Sequence, residues 1–176
     1  MSKDPTMSPT QISAGGQSTA GGLQVLTFDV GETFALEAGL VREVLDPTAE
    51  TAVPGSAPFV NAVINFRGRV IPLMDLRLAF GMAAAPIGRD NRIVVIEYDI
   101  DGHPTLIGLR ADKVHEVTTI TADAIEDAPR VGLRWRQDFI HRLARRDGDL
   151  IVIPDLDAIF AARGQAAGPS IAALQS

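Results

Sequence analysis

Val41-Arg42-Glu43-Val44 recurs as Val114-His115-Glu116-Val117, and an equal displacement carries Ala35-Leu36 onto Gly108-Leu109. Val70-Ile71-Pro72 recurs as Val152-Ile153-Pro154 at a longer displacement, and each copy runs into an aspartate and a short apolar stretch. A repeated unit that cannot bury its own apolar face must pack against its copy. Each copy reads as a hairpin, a Val-x-Glu-Val strand, a long connection, a second hairpin ending in Ile-Pro, and a short helix. Five or so short strands of this kind close most simply as a small barrel, so the repeat predicts an all-β chain of two barrel units.

Local chemistry fills in the elements. Leu23 to Val30 alternates as a strand, Gly31-Glu32 turns it, and Thr33 to Glu37 is its hairpin partner. Val41 to Leu45 is a further strand, followed by a loop punctuated by Pro47, Pro54 and Pro58, each lacking a ladder donor. Arg67-Gly68-Arg69 reads as a turn, and Asp75 is placed to cap the run Leu76, Leu78, Phe80, with Gly81 as its stop. Ile93 to Tyr98 is a β-branched run suited to burial on both faces. Asp101-Gly102 and Asp147-Gly148 are hairpin turns. Ala111 to Ile120 reads as a strand with Val114 and Val117 inward, Thr121 as the cap of a helical turn, and Asp155 to Arg163 as a terminal helix stopped by Gly164.

Residues 1–22 are Ser, Thr, Gly, Gln and Pro with little apolar content and read as a disordered tail, and 165–176 as a flexible one. The folded region expected is 23–164, divided near 88–89 into first and second repeats, with exchange of strands between them left open. No stretch approaches the roughly 20 apolar residues that span a bilayer, and the first residues lack a signal-peptide core, so a cytoplasmic location is expected. The absence of cysteine rules out disulfides, iron–sulfur clusters and thiolate zinc sites. A net charge of −6 argues against nucleic-acid binding, which draws its affinity from phosphate neutralisation. The six arginines Arg130, Arg134, Arg136, Arg142, Arg145 and Arg146 read as a solvated basic face or a site for an acidic partner.

Signs of bond chemistry are weak. His103, His115 and His141 share no ligand spacing, so no metal and no cofactor is expected. Asp75, Asp155 and Asp157 lie where helix starts want a capping oxygen, a simpler role than that of catalytic carboxylate. Glu43 on a strand and Arg67 before a turn glycine read equally well as solvated charges or as the charged rim of an apolar docking groove.

Asn65-Phe66-Arg67-Gly68 with Val70 to Arg77 resembles the Asn-Leu-Arg-Gly-x-Ile-x-Pro-Val-x-Asp-Leu-Arg signature of the CheW-like family of bacterial chemotaxis coupling proteins. Val41 to Val44, Gly108 to Val114 and Leu150 to Phe160 are similar to three further motifs of that family, in the same order. The resemblance implies two packed SH3-like β-barrel subdomains and no catalytic activity. It implies as partners the regulatory domain of the histidine kinase CheA, the cytoplasmic tip of methyl-accepting chemoreceptors, and other CheW-like proteins, with membrane association only through receptors at arrays. Carried over motif by motif, the protein-binding residues it implies are Val41, Glu43, Asn65, Arg67, Gly108 and Val114. Three positions depart from the pattern: Ala62 and Arg142 replace usual glycines, and Phe66 a usual leucine. Two alternatives stay open: a module that binds receptor without engaging the kinase, and a small β-barrel enzyme using Asp75 or Asp157.

Overall fold

The computed structural model describes residues 22–53, 59–83, 85–127 and 137–161. Residues 1–21 and 165–176 of the expected tails, Pro54 and Pro58 of the proline-punctuated loop, the stop at Gly164 and the arginines at 130, 134 and 136 lie outside them. The strands are β1 (Leu23–Val30), β2 (Glu32–Glu37), β3 (Val41–Leu45), β4 (Thr51–Ala52), β5 (Val60–Phe66) and β6 (Arg69–Met74), followed by helix α1 (Leu76–Ala79). Then come β7 (Arg92–Ile100), β8 (His103–Ala111), β9 (Lys113–Ile120), β10 (Ile125–Glu126), β11 (Ile140–Arg146) and β12 (Asp149–Pro154). Helix α2 (156–161) closes the described chain.

These strands form two six-stranded sheets, ordered β10-β11-β12-β2-β1-β9 and β3-β7-β8-β6-β5-β4. Each half of the chain thus gives its first hairpin to the other half's sheet: β1-β2 joins β9 to β12, and β7-β8 joins β3 to β6. The two sheets match pair for pair. In both, the long hairpin carries one irregularity, between Val60 and Ala62 and between Ile140 and Arg142. In both, a parallel pairing joins the long hairpin to the first one, Leu73 beside Gly108 and Ile151 beside Thr33.

The register corrects the displacement of the Ile-Pro segment. Val60 pairs Met74, and Ile140 pairs Pro154, so the hairpins superpose with Val60 on Ile140 and Val70 on Leu150, not on Val152. The recurring Val-Ile-Pro letters sit two positions out of structural register. Asp75 therefore corresponds to Asp155, and both chain positions donate a backbone N–H to a phenylalanine carbonyl, Phe59 at 3.0 Å and Phe139 at 2.7 Å. Asp75 caps α1, its Oδ1 accepting from the Arg77 N–H at 2.9 Å, and Asp155 caps α2 by accepting from the Ala158 N–H at 3.0 Å. Asp157 does not cap. It lies inside α2 and accepts from the Tyr98 hydroxyl at 2.6 Å. Thr121 precedes a short 3-10 turn (Ala122–Ala124) without a side-chain capping bond. Val117 is 55% exposed and not inward, because Val114 and Val117 are an odd number of positions apart and side chains alternate along a strand.

Three apolar clusters follow from this topology. One belongs to the second sheet, with Ile64, Ile71, Leu73, Ile93 and Val95, and one to the first, with Val25, Ala35, Ile120, Ala144 and Ile151. The third and largest lies between the sheets and draws on both, from Leu26, Phe28 and Phe34 to Met74, Val94, Ile96 and Phe139. Each such buried side chain contributes about 1.5–3 kcal/mol over its exposed state, so the shared core holds the two units as one body.

A charged contact crosses the same junction. Arg77 of α1 donates from Nη1 to Asp112 Oδ1 at 3.1 Å and from Nη2 to Oδ2 at 2.5 Å. Asp112, between β8 and β9, also accepts from the Gly31 N–H at 3.1 Å. Burial pushes the Asp112 carboxyl up, but the Arg77 fork and the Gly31 N–H outweigh it and hold the group below the ordinary aspartate value. A depressed folded-state pKa means this contribution is present above the unfolded value, about 4, and is lost as pH falls through the folded one. Asp112→Asn should therefore flatten the acid limb of a stability–pH curve, measured by urea midpoints from about pH 5 downward.

Candidate functional site

The tip of the β5-β6 hairpin is built for display. Arg67 and Gly68 have φ of 53° and 82°, both left-handed, as a two-residue turn matched to strand twist requires. Glycine takes that conformation freely, whereas an arginine held there costs about 1–2 kcal/mol. The counterpart turn places Asp147 and Gly148 at 53° and 84°. The turn is secured by Asn65, whose Oδ1 accepts from the Gly68 N–H at 3.0 Å. The Arg67 guanidinium lies 5.2 Å from the centroid of the Phe66 ring and donates to the Glu43 carboxylate on β3. That contact ties the hairpin tip to β3, an edge strand of the same sheet. With Arg67 73% exposed, the pair adds at most about 1 kcal/mol, too little to offset a strained arginine.

The first sheet repeats the arrangement with different letters. Glu116, the counterpart of Glu43 in the repeat, bonds Arg146 at 3.0 Å. Arg146 is the register counterpart of Phe66, one residue before the turn. Beside it His115 Nε2 lies 2.9 Å from Asp29 Oδ2, and Thr33 donates to Asp29 Oδ1 at 2.9 Å. A cleft of about 470 Å³ opens here among Thr27, Thr33, Lys113, His115 and Arg146. The repeat carries Glu43 onto Glu116, whereas Arg146, legible in the sequence only as one of a basic run, has an aromatic residue as its counterpart. The described arginines of the basic run are all paired: Arg142 with Asp127 at 3.3 Å, Arg145 with Glu126 at 2.8 Å, and Arg146 as above.

The six expected binding residues divide into three environments. Glu43, Asn65 and Arg67 share the hairpin tip. Val41 and Val114, counterparts in the repeat, are half-buried at the margins of the shared core. Gly108 is buried within the second barrel, where an added Cβ would come within 3.1 Å of Ile93 and 3.3 Å of Leu73. Gly108→Ala should overpack that cluster and cost about 1–3 kcal/mol in a denaturant titration. Two of the departures from the family pattern are register counterparts, both at the hairpin irregularity. Ala62 there is buried in its barrel, whereas Arg142 is exposed. Phe66, the third, supplies the ring beside Arg67.

Asp75 is buried and its Oδ1 is engaged by the Arg77 amide, while Asp157 is engaged by Tyr98. Among the described residues, no group of three or more His, Cys, Asp or Glu is placed to hold a metal.

Two matched barrels fused through one core, each with an ion pair at its hairpin tip, define a docking module. The family model of the CheW-like domain matches residues 24–164. The chain is 29% identical over 143 residues to the chemotaxis protein CheW of Rhizobium meliloti, covering 81% of this chain and 90% of that protein. It is 29% identical over 141 residues to CheW of Bacillus subtilis, covering 79% and 87%. The crystal structure of the scaffolding protein TtCheW from Thermoanaerobacter tengcongensis superposes with a TM-score of 0.69 at 31% identity, covering 79% of this chain and 92% of that one. The chain belongs to the CheW-like family, and its two SH3-like barrels are those of a chemotaxis scaffold.

Proposed function

We propose that this chain is a non-enzymatic adaptor that couples a CheA-type histidine kinase to the cytoplasmic tips of methyl-accepting chemoreceptors, held at arrays on the inner face of the membrane. The observation that carries the reading is Arg67, strained at a turn, exposed, and paired with Glu43 at a cost that folding does not require. Strain kept at an exposed polar group is where function is sought. Val41 and Val114 offer apolar margins for a helix laid by its apolar face, and the Glu43–Arg67 rim supplies the charge that orients it. Asn65 holds the tip, and Gly108 lies in the barrel interior against Ile93 and Leu73. Among the described residues no helix is long and apolar enough to cross a membrane, so on this reading attachment to the membrane passes through the receptor.

A second reading, a module that binds receptor but not kinase, draws on Arg142, a long exposed cation where the family has a glycine. Reconstitution separates the two. The full chain, a receptor signalling fragment and the kinase should co-sediment as a ternary complex with receptor-dependent kinase activation. Binding to receptor alone would leave the second reading, and binding to neither would end both.

A further inference from the structure

We propose that Arg77 and Asp112 are a positioning pair that fixes the angle between the two barrels, and that through this angle they control coupling between bound partners. The shared core gives cohesion, but apolar burial is non-directional and does not by itself fix one barrel's rotation against the other. A planar guanidinium forked onto a carboxylate is directional in two bonds. Arg77 belongs to the helix that follows the second sheet's hairpin, and its side chain is 10% exposed. Its acceptor Asp112 is the single residue that links β8 of the second sheet to β9 of the first. It is anchored to the first by accepting from the Gly31 N–H at 3.1 Å and donating its own N–H to the Asp29 carbonyl at 2.7 Å. By contrast, the pairs Arg42–Glu97, Glu43–Arg67, Arg110–Glu50, Arg142–Asp127 and Arg146–Glu116 each stay within one barrel.

Symmetry shows that the contact is a specific addition. In the hairpin register the counterpart of Arg77 is Asp157, which also reaches the other sheet but through one hydrogen bond from Tyr98. One end of the inter-barrel seam is thus held by a half-buried bidentate ion pair and the other by a single, more exposed bond. An adaptor that holds two partners transmits a change in one to the other only as far as its own two halves keep a fixed relation. The coupling half of the proposal rests on the adaptor reading; the angular half does not.

The test uses the full chain, which has no cysteine, carrying spin labels at His103→Cys at the start of β8 and Thr119→Cys on β9, both exposed and on different sheets. Asp112→Asn and Arg77→Lys should broaden or shift the distance distribution, the lysine variant less, since it keeps the charge but not the fork. Arg142→Ala, which breaks a pair inside one barrel, should leave the distribution unchanged. With partners, both pinning variants should still bind receptor fragment and kinase separately, while receptor-dependent kinase activation falls about tenfold. A lowered thermal midpoint with an unchanged distribution overturns the proposal, and so does a changed distribution with full activation. Should Asp112→Asn fail to fold, Arg77→Lys decides alone. A wild-type chain that binds neither partner would sink the adaptor reading, and the distance measurement would still decide the angular claim.

Discussion

Arg67→Glu should abolish receptor-dependent kinase activation in a reconstituted array while the chain stays folded, with a stability change of about 0.5 kcal/mol. The small structural effect follows from exposure: the Arg67–Glu43 contact is screened by water, and its loss leaves no buried charge unpaired. The large functional effect follows if a partner reads the polarity of the rim. A double reversal, Glu43→Arg with Arg67→Glu, restores the attraction but inverts that polarity, so it should not recover activation. Recovery would mean that the pair only ties the hairpin tip to β3. Arg67→Asn sharpens the test. Asparagine tolerates the left-handed conformation better than arginine, so this variant should be slightly more stable, by about 0.5–1 kcal/mol, yet equally impaired in coupling. A site that gains stability when its function is removed is one where folding did not choose the residue.

Much of this was legible in the chain itself, and the limits have physical reasons. Strand periodicity, the Asp-Gly turns and the Asp75 cap are local effects, and each appears in the structure where local chemistry puts it. The repeat announced two barrel units because Val-x-Glu-Val and Ile-Pro are set by packing common to both copies. Matching letters misplaced the second hairpin by two residues, since backbone pairing sets register and several apolar residues satisfy the same inward position. In the true register Arg67 falls on Asp147 at the turn, while Arg146, one residue earlier, supplies the ion pair. Arg77–Asp112 was unreadable for a different reason: two residues far apart in the chain meet only because hairpins are exchanged between sheets. Gly108 shows a further limit, as a motif marks that a position is constrained but does not say whether a partner or the barrel interior constrains it.

Phe139→Ala should be the most destabilising of these substitutions, costing about 3–5 kcal/mol against a total of roughly 5–15 for a domain. The Phe139 ring is 1% exposed and meets Phe59 edge-on at 5.9 Å and Phe80 at 6.1 Å, and Phe80 in turn meets Phe34 at 5.2 Å. Phe59 and Phe139 are counterparts, each just before the long hairpin of its own sheet, and they touch each other. Two matched residues in contact lie in the core that both barrels share, so a cavity there is felt by both. The loss should therefore appear in both units together. In native-state hydrogen exchange, amides of β5 and β11 should lose protection by a similar factor, and thermal unfolding should remain one transition. Val117→Ala, at an exposed site, should change stability by no more than about 0.5 kcal/mol. Were protection lost only in the first sheet, the barrels would be independent units that happen to touch. The shared core would then not be what holds the chain as one body, and an angle fixed by Arg77 would have no rigid frame to act on.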